Sequence, residues 1–209
     1  MGAVTAAEAH TEEQAMRATS ETWMYPPEEG WTWDQVKELD LPFDWELVDG
    51  NIVVRGVTSW WHDQVRNELY VSLRLAERPP YKASVERWTQ IGPSDAPNPD
   101  VIVYDKTGLN VKTLDCTPMS SVVLAVEVVS PGSRSEDRFR KPGLYAEAEV
   151  AAYWRVERGE KDVPEVHEFW RDEASGVFVP RPGTPVHTDR LITDVPFPVE
   201  IDLAGLLED

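Results

Sequence analysis

One uninterrupted apolar stretch constrains the fold of this 209-residue chain more than any other feature. Residues 122–129 are aliphatic throughout, except for a single carboxylate, Glu127. Such a run predicts a strand that is covered on both faces, and it is too short to span a membrane. A lone charge in such a strand is costly unless it is solvated, paired or bound to a cation. We therefore expect Glu127 to have a partner near the end of a central strand, where open α/β sheets usually place ligands.

A second carboxylate stands in a similar position. Asp100 directly precedes the apolar run 101–104, which predicts another short strand. Two such acids invite a divalent metal, because hard cations take oxygen ligands. Two alternatives remain open: Asp100 caps a turn at the strand end, or Glu127 pairs with an internal basic residue such as Lys141.

The segment after the apolar run predicts a helix over residues 134–149. Asp137, Lys141 and Tyr145 are spaced by four, which places them on one helical face. Pro142 interrupts the pattern, so either the helix kinks there or a new helix starts with Pro142 at its first position. Lys141 stays close to the strand end in both cases.

Turn signals and periodicity predict the remaining elements. Thr32 is expected to cap a short helix that ends by Leu39, and Asp49-Gly50-Asn51 predicts a hairpin over residues 45–55. Ser59 is expected to cap an amphipathic helix that ends at Pro79-Pro80. Further strands are predicted at residues 81–91, 151–156, 165–170 and 176–179, followed by a proline-rich extended end.

Composition limits the class of protein. Residues 1–29 are polar and rich in Ala and Glu, which predicts a disordered acidic tail before one domain over residues 30–209. The chain shows neither an apolar run long enough for a membrane nor a signal-peptide pattern at its start, so we expect a cytoplasmic protein. The one cysteine, Cys116, excludes an internal disulfide and is expected to be an unreactive loop thiol.

The ordered set of motifs resembles a known family. Pro99-Asp100, Glu127 to Ser130, then Asp137, Lys141 and Tyr145, and finally residues 153–157 resemble the Uma-two family, whose members are assigned as bacterial restriction endonucleases within the PD-(D/E)XK nuclease superfamily. The resemblance extends back to Glu46 and to Ser59 with His62. One departure is that Val129 stands where the superfamily has its lysine, and Lys141 on the following segment matches the family's position.

The resemblance implies a fold and a site. It implies an α/β restriction-endonuclease-like core, a mixed sheet flanked by helices, that binds DNA and Mg²⁺ or Mn²⁺. Asp100, Glu127 and the Val128 carbonyl are the implied metal ligands, and Lys141 with Glu46 completes the implied catalytic set. The supporting residues are Asp137, which orients Lys141, Tyr145, and His62. Spacing alone favours an exposed Glu46 and an exposed or capping His62. A homodimer is also implied, since two cuts need two sites.

The formal net charge of −18 conflicts with a nucleic-acid partner, because DNA-binding domains normally present a basic face. Three functions therefore remain from sequence. The first is a metal-dependent DNA endonuclease. The second is a catalytically inactive nuclease fold that binds nucleic acid or a protein. The third is an acidic protein-interaction module in which Glu127 and Lys141 form a buried pair.

Overall fold

The computed structural model describes residues 17–130, 132 and 136–208. These residues form two compact units. Of the described residues, the first unit holds those up to Val54 together with Gly92–Pro97, and the second holds Arg55–Ile91 together with those from Asn98 onward. The single domain over residues 30–209 stays a prediction.

The first unit contains a short helix and a hairpin. Helix α1, Trp33–Val36, begins after Thr32, whose main-chain N–H donates to Gln35 Oε1 at 2.8 Å. Strands β1, Trp45–Val48, and β2, Asn51–Val54, pair antiparallel around Asp49 and Gly50, and both turn residues have positive φ. The predicted helix and hairpin are therefore confirmed, although the helix ends three residues earlier than Leu39.

The predicted acidic tail needs a correction within the described residues. Residues 1–16 lie outside them, so the prediction stands untested there. From residue 17 the chain is hydrogen-bonded to the first unit: Ala18 N–H donates to the Gln35 carbonyl at 3.0 Å, and Trp31 Nε1 donates to the Trp23 carbonyl at 2.9 Å. Buried Trp31 holds this segment, a tertiary contact that the polar composition of residues 17–29 does not reveal.

One mixed sheet dominates the second unit. Its strands are β3, Tyr81–Val85; β5, Val101–Asp105; β7, Val122–Val128; β8, Ala152–Arg158; β9, Pro164–Arg171; β10, Phe178–Pro180; and β11, Val186–His187. The order is β10-β9-β8-β7-β5-β3, with β11 also pairing with β9. Strands β7 and β8 are parallel, whereas the other neighbours are antiparallel. The apolar run therefore forms a central strand, as its composition predicts.

Each face of the sheet is covered. Helix α2, Trp60–Ala76, packs Val65, Leu69 and Leu73 on one face, together with the C-terminal pair β12, Arg190–Thr193, and β13, Val199–Asp202. The opposite face packs against helix α3, Lys141–Glu147, through Tyr145. The predicted α/β fold, a mixed sheet flanked by helices, is confirmed. Among the described residues, no helix is both long and apolar enough to cross a membrane.

Three predicted elements differ in detail. The strand over residues 81–91 is broken into β3 and β4, Thr89–Gln90, because β4 leaves the main sheet to pair with β6, Thr117–Pro118. The proline-rich end is more regular than expected, since it supplies β11, β12 and β13. The helix over 134–149 is shorter: a π-helical turn, Glu136–Arg140, leads into α3, and Pro142 is the second residue of α3, where no hydrogen-bonded N–H is needed. Arg134 lies outside the described residues.

Candidate active site

The register of two strands brings the two predicted acids together. Strand β5 pairs Val101 with Val126 of β7, so Asp100, the next residue outward, stands opposite Glu127. Asp100 also contacts β7 directly, because the Val128 main-chain N–H donates to Asp100 Oδ2 at 2.8 Å. Each carboxylate is only 1% exposed. The sheet thus holds two buried acids side by side at the end of its central strands.

Asp100 is surrounded by cationic and N–H groups. Arg55 Nη2 lies 2.9 Å from Oδ1, and His62 Nε2 lies 3.3 Å from Oδ2. Burial raises the pKa of Asp100, but the hydrogen bond from His62 and the charges of Arg55, His62 and Lys141 outweigh burial and lower the pKa well below its usual value. Asp100 is therefore a carboxylate at neutral pH.

His62 is buried in the first turn of α2, which corrects the expectation of an exposed position. Its main-chain N–H donates to Ser59 Oγ at 3.3 Å, so the predicted cap is present. Burial lowers the pKa of the imidazole, but the contacts with Asp100 and Asp63 raise the pKa by more than burial lowers it. The net pKa therefore lies above 6.5. The first turn of α2, fixed by its cap, therefore places a protonatable imidazole next to Asp100.

Glu127 has two partners from the following segment. Tyr145 donates its hydroxyl hydrogen to Glu127 Oε1 at 2.5 Å, and Lys141 Nζ lies 3.0 Å from the same oxygen. Asp137 Oδ1 lies 3.5 Å from Lys141 Nζ. The spacing of four residues therefore does place these three side chains at one location, and Lys141 lies between two buried carboxylates.

Sequence reasoning missed two members of this cluster. Arg55 follows the hairpin and carries no motif. Tyr153 on β8 donates its hydroxyl hydrogen to the Asp137 carbonyl at 2.6 Å, and its ring packs against Tyr145. Burial, together with the negative charges of Glu127 and Asp137, raises the pKa of Tyr153 well above its usual value. The alternation of β8 beside β7 is the signal that places Tyr153 on the Glu127 face.

A cleft of about 180 Å³ opens beside this cluster. It lies beyond the C-terminal ends of parallel strands β7 and β8, the position where open α/β sheets bind ligands. Its lining combines the first turn of α2 with the strand ends and the π-helical turn, through Ser59, Trp61, His62, Ser130, Arg138 and Glu157. His62 connects the cleft to the buried acids.

Glu46 is buried on β1, within the first unit, and not exposed as its spacing suggested. Its membership of the catalytic set stays a prediction of the resemblance. Asp95, close to Asp100 in sequence, accepts a hydrogen bond from the Asp49 main-chain N–H at 2.8 Å, within the first unit. Cys116 is buried, and burial raises the pKa of its thiol to about 12, so the thiol is protonated at neutral pH.

The donor atoms of the cluster suit a hard cation. Among the described residues, no group of three or more His, Cys, Asp and Glu side chains is arranged as a complete protein cage for a metal. Asp100 and Glu127 instead offer two carboxylates beside the main chain of Val128, and Mg²⁺ sites commonly use one or two carboxylates with the rest water. The residues present therefore fit Mg²⁺ or Mn²⁺ better than a soft or nitrogen-preferring metal.

The sheet order, the paired acids and the adjacent lysine define a protein of the restriction-endonuclease-like class. Residues 33–192 match the Uma2 family, described as "Putative restriction endonuclease", and the chain belongs to this family. A solved structure with the same fold is that of a "putative nuclease belonging to DUF820" from Anabaena variabilis ATCC 29413. It shares 15% sequence identity with this chain at a TM-score of 0.64, and the match covers 84% of this chain and 96% of the other. No curated protein matches the sequence.

Proposed function

We propose that the protein is a metal-dependent endonuclease that hydrolyses phosphodiester bonds of DNA. The observation that carries this proposal is the assembly of Asp100, Glu127 and Lys141 in one buried cluster beside a cleft. Two acids and a lysine are the groups that this hydrolysis needs. The family to which the chain belongs is described as one of restriction endonucleases. Burial of an ion pair alone would explain Glu127 with Lys141, but it would not explain why Asp100, His62 and Arg55 converge on the same strand end.

Asp100, Glu127 and the Val128 carbonyl would hold the metal. A bound Mg²⁺ lowers the pKa of its water and neutralises the charge that develops on a phosphoryl group. The protein's own part is to keep both carboxylates ionised. Asp100 meets this need, because His62 and Arg55 lower its pKa.

Lys141 is the group best placed to act on the reacting phosphate. Glu127 and Asp137 hold its ammonium from two sides, at 3.0 Å and 3.5 Å. An ammonium fixed in this way can orient an attacking water and stabilise negative charge in the transition state. Tyr145 fixes the rotamer of Glu127 by its hydrogen bond and so acts as a positioning residue.

A second candidate function has its own supporting observation. Both oxygens of Asp100 are already contacted by protein donors, namely Arg55, His62 and the Val128 N–H. A carboxylate satisfied in this way can serve a nuclease fold that binds nucleic acid or a protein without cutting. The proposed endonuclease function requires that Arg55 or His62 yields its position when a metal binds.

The test is cleavage of supercoiled plasmid and of single-stranded DNA by the full chain in Mg²⁺, in Mn²⁺ and in EDTA. The proposal predicts cleavage in either metal, loss of cleavage in EDTA, and recovery when the metal is restored. Glu127→Gln is the inactive control and Glu200→Gln, an exposed acid on β13, is the matched active one. DNA binding without cleavage would support the second candidate, and cleavage by Glu127→Gln at the normal rate would contradict the proposed site.

Gel filtration with the same preparation tests the homodimer that cutting both strands implies.

A further inference from the structure

Two exposed aromatic side chains belong to the segments that border the cleft. Trp60 is 65% exposed and Phe139 is 78% exposed. Trp60 lies between Ser59 and Trp61, and Phe139 follows Arg138, and these three neighbours line the cleft. One aromatic thus stands on the α2 side of the cleft and the other on the side of the π-helical turn.

Both aromatics are fixed to the buried cluster by short stretches of chain. Trp60 is two residues from His62, which contacts Asp100. Phe139 is two residues from Asp137 and two from Lys141, and it lies in the π-helical turn between them. Such π-helical turns are frequent at functional sites. The two rings are therefore carried by the same segments as His62, Asp137 and Lys141.

Exposure alone does not mark Trp60 and Phe139 as a binding surface, because single exposed apolar residues are normal on protein surfaces. Leu75 is 82% exposed near the far end of the same helix as Trp60 and has no relation to the cleft. What distinguishes Trp60 and Phe139 is that they are aromatic and that they flank one polar cleft beside the acids. Leu75 serves as the matched control for both.

The charges around the cleft determine which form of DNA fits. Arginines here already face carboxylates: Arg138 pairs with Glu157, and Arg158 pairs with Asp162 at 2.8 Å. Arg66 pairs similarly with Glu86 at 2.5 Å. Among the described residues, these pairs leave little positive charge to neutralise phosphates, and phosphate neutralisation is the main source of affinity for duplex DNA. Stacking of bases on aromatic rings supplies affinity without net charge, but only unpaired bases expose their faces.

We propose that the site acts on unpaired DNA strands, and that Trp60 and Phe139 stack on bases that flank the phosphodiester to be cut. This inference rests on the proposed nuclease function and names its substrate class. The rings bind substrate, and the acids with Lys141 do the chemistry. Sequence tolerance follows, because every base offers a π-face.

Two measurements test this inference on the full chain. The first is binding of a fluorescent single-stranded oligonucleotide, and of the same oligonucleotide annealed to its complement, by anisotropy in EDTA. The second is single-turnover cleavage of both in Mg²⁺. The variants are Trp60→Ala, Phe139→Ala, Phe139→Tyr and Leu75→Ala.

We expect tighter binding and faster cleavage of the single strand. Each alanine variant should weaken single-strand binding about 5- to 100-fold. Phe139→Tyr and Leu75→Ala should stay within about twofold of the wild type, because one keeps a ring and the other lies away from the cleft.

The outcomes separate the inference from the proposed function. Single-strand binding that depends on Trp60 and Phe139, with no cleavage of either DNA, supports the stacking surface and contradicts the nuclease proposal. Cleavage of the duplex at the same rate or faster, with both alanine variants unchanged, overturns the inference and leaves the nuclease proposal standing. An equal loss in Leu75→Ala, or no single-strand binding by the wild type, also overturns it.

Discussion

Among single residues, Lys141 is the buried cation that balances the charge of two buried carboxylates. It lies between Glu127 and Asp137, and all three side chains are buried. Lys141→Met removes the cation and leaves two buried anions, and breaking a buried pair in this way costs about 3–5 kcal/mol. We expect urea denaturation to show a loss of that order in the free energy of unfolding. Lys106→Met, at an exposed lysine, should change it by less than about 0.5 kcal/mol.

A double variant separates the ion pair from general disruption of the core. Glu127→Gln combined with Lys141→Met removes one anion along with the cation, so the combined loss in unfolding free energy should be smaller than the sum of the two single losses. The difference measures the coupling between these two residues. Strictly additive losses would mean that Lys141 does not stabilise Glu127 in solution.

His62 and Asp100 predict a definite pH dependence in the metal-free protein. The folded pKa of His62 lies above 6.5, so its contribution to stability is complete below that pH and is lost as the pH rises through the folded pKa. Asp100 has a lowered pKa, so its contribution is present above the unfolded value and is lost only in strong acid. Wild-type stability gained from this pair should therefore decline as the pH rises above 6.5.

The cause of this shift is testable by substitution. In Asp100→Asn the pKa of His62 should fall, because burial, the largest influence, then opposes only the weaker contact with Asp63. An NMR titration of the imidazole protons measures the change directly. If the pKa of His62 is the same in both proteins, the contact between His62 and Asp100 is absent in solution.

For the secondary-structure elements, local signals predicted the positions of strands and helices better than they predicted which distant residues contact one another. The apolar run predicted β7, Ser59 predicted the start of α2, and Asp49-Gly50 predicted the hairpin turn. The four-residue spacing also predicted that Asp137, Lys141 and Tyr145 would share a location, even though the element is a π-helical turn followed by a short helix. Periodicity survives such a change because all three residues still lie on successive turns.

Long-range partners could not be predicted from local signals. Arg55 and His62 reach Asp100 from elements far away in sequence, and Tyr153 reaches Asp137 from a neighbouring strand. Their meeting depends on sheet order and on how α2 packs, neither of which has a signature in the segments themselves. The burial of His62 was missed for this reason.

The hairpin of the first unit supplies an element-scale prediction. Gly30 has φ +80°, and a Cβ there would lie 2.8 Å from the Gly50 Cα. Gly108 has a similar φ of +75° with no atom within 4 Å of its would-be Cβ. Both alanine variants carry the backbone cost of about 1 kcal/mol, but only Gly30→Ala also forces two main-chain segments apart. Thermal unfolding should show a clearly larger loss for Gly30→Ala, and equal losses would mean that this close approach does not exist.

At the scale of the whole molecule, the acidic charge predicts how DNA binding responds to salt. The net charge is −18, and the two described arginines that line the cleft, Arg138 and Arg158, pair with carboxylates. Few phosphates are then neutralised, so the slope of log K against log[salt] for a single strand should be shallow, at about −2 or less in magnitude. Anisotropy titrations between low and physiological salt measure the slope. A steep slope would reveal an extensive basic surface that the described residues do not show.

If Asp100, Glu127 and Lys141 form one catalytic centre, each of them is needed for single-turnover cleavage in Mg²⁺. The measurement compares the wild type with Asp100→Asn, Glu127→Gln and Lys141→Met on whichever DNA the wild type cuts faster, after circular dichroism has shown each variant to be folded. We expect each variant to be slower by a factor on the order of 10²–10³, whereas Lys106→Met should stay within about twofold of the wild type. A folded variant of any of the three that cuts at the wild-type rate would show that the substituted residue is not part of the catalytic centre.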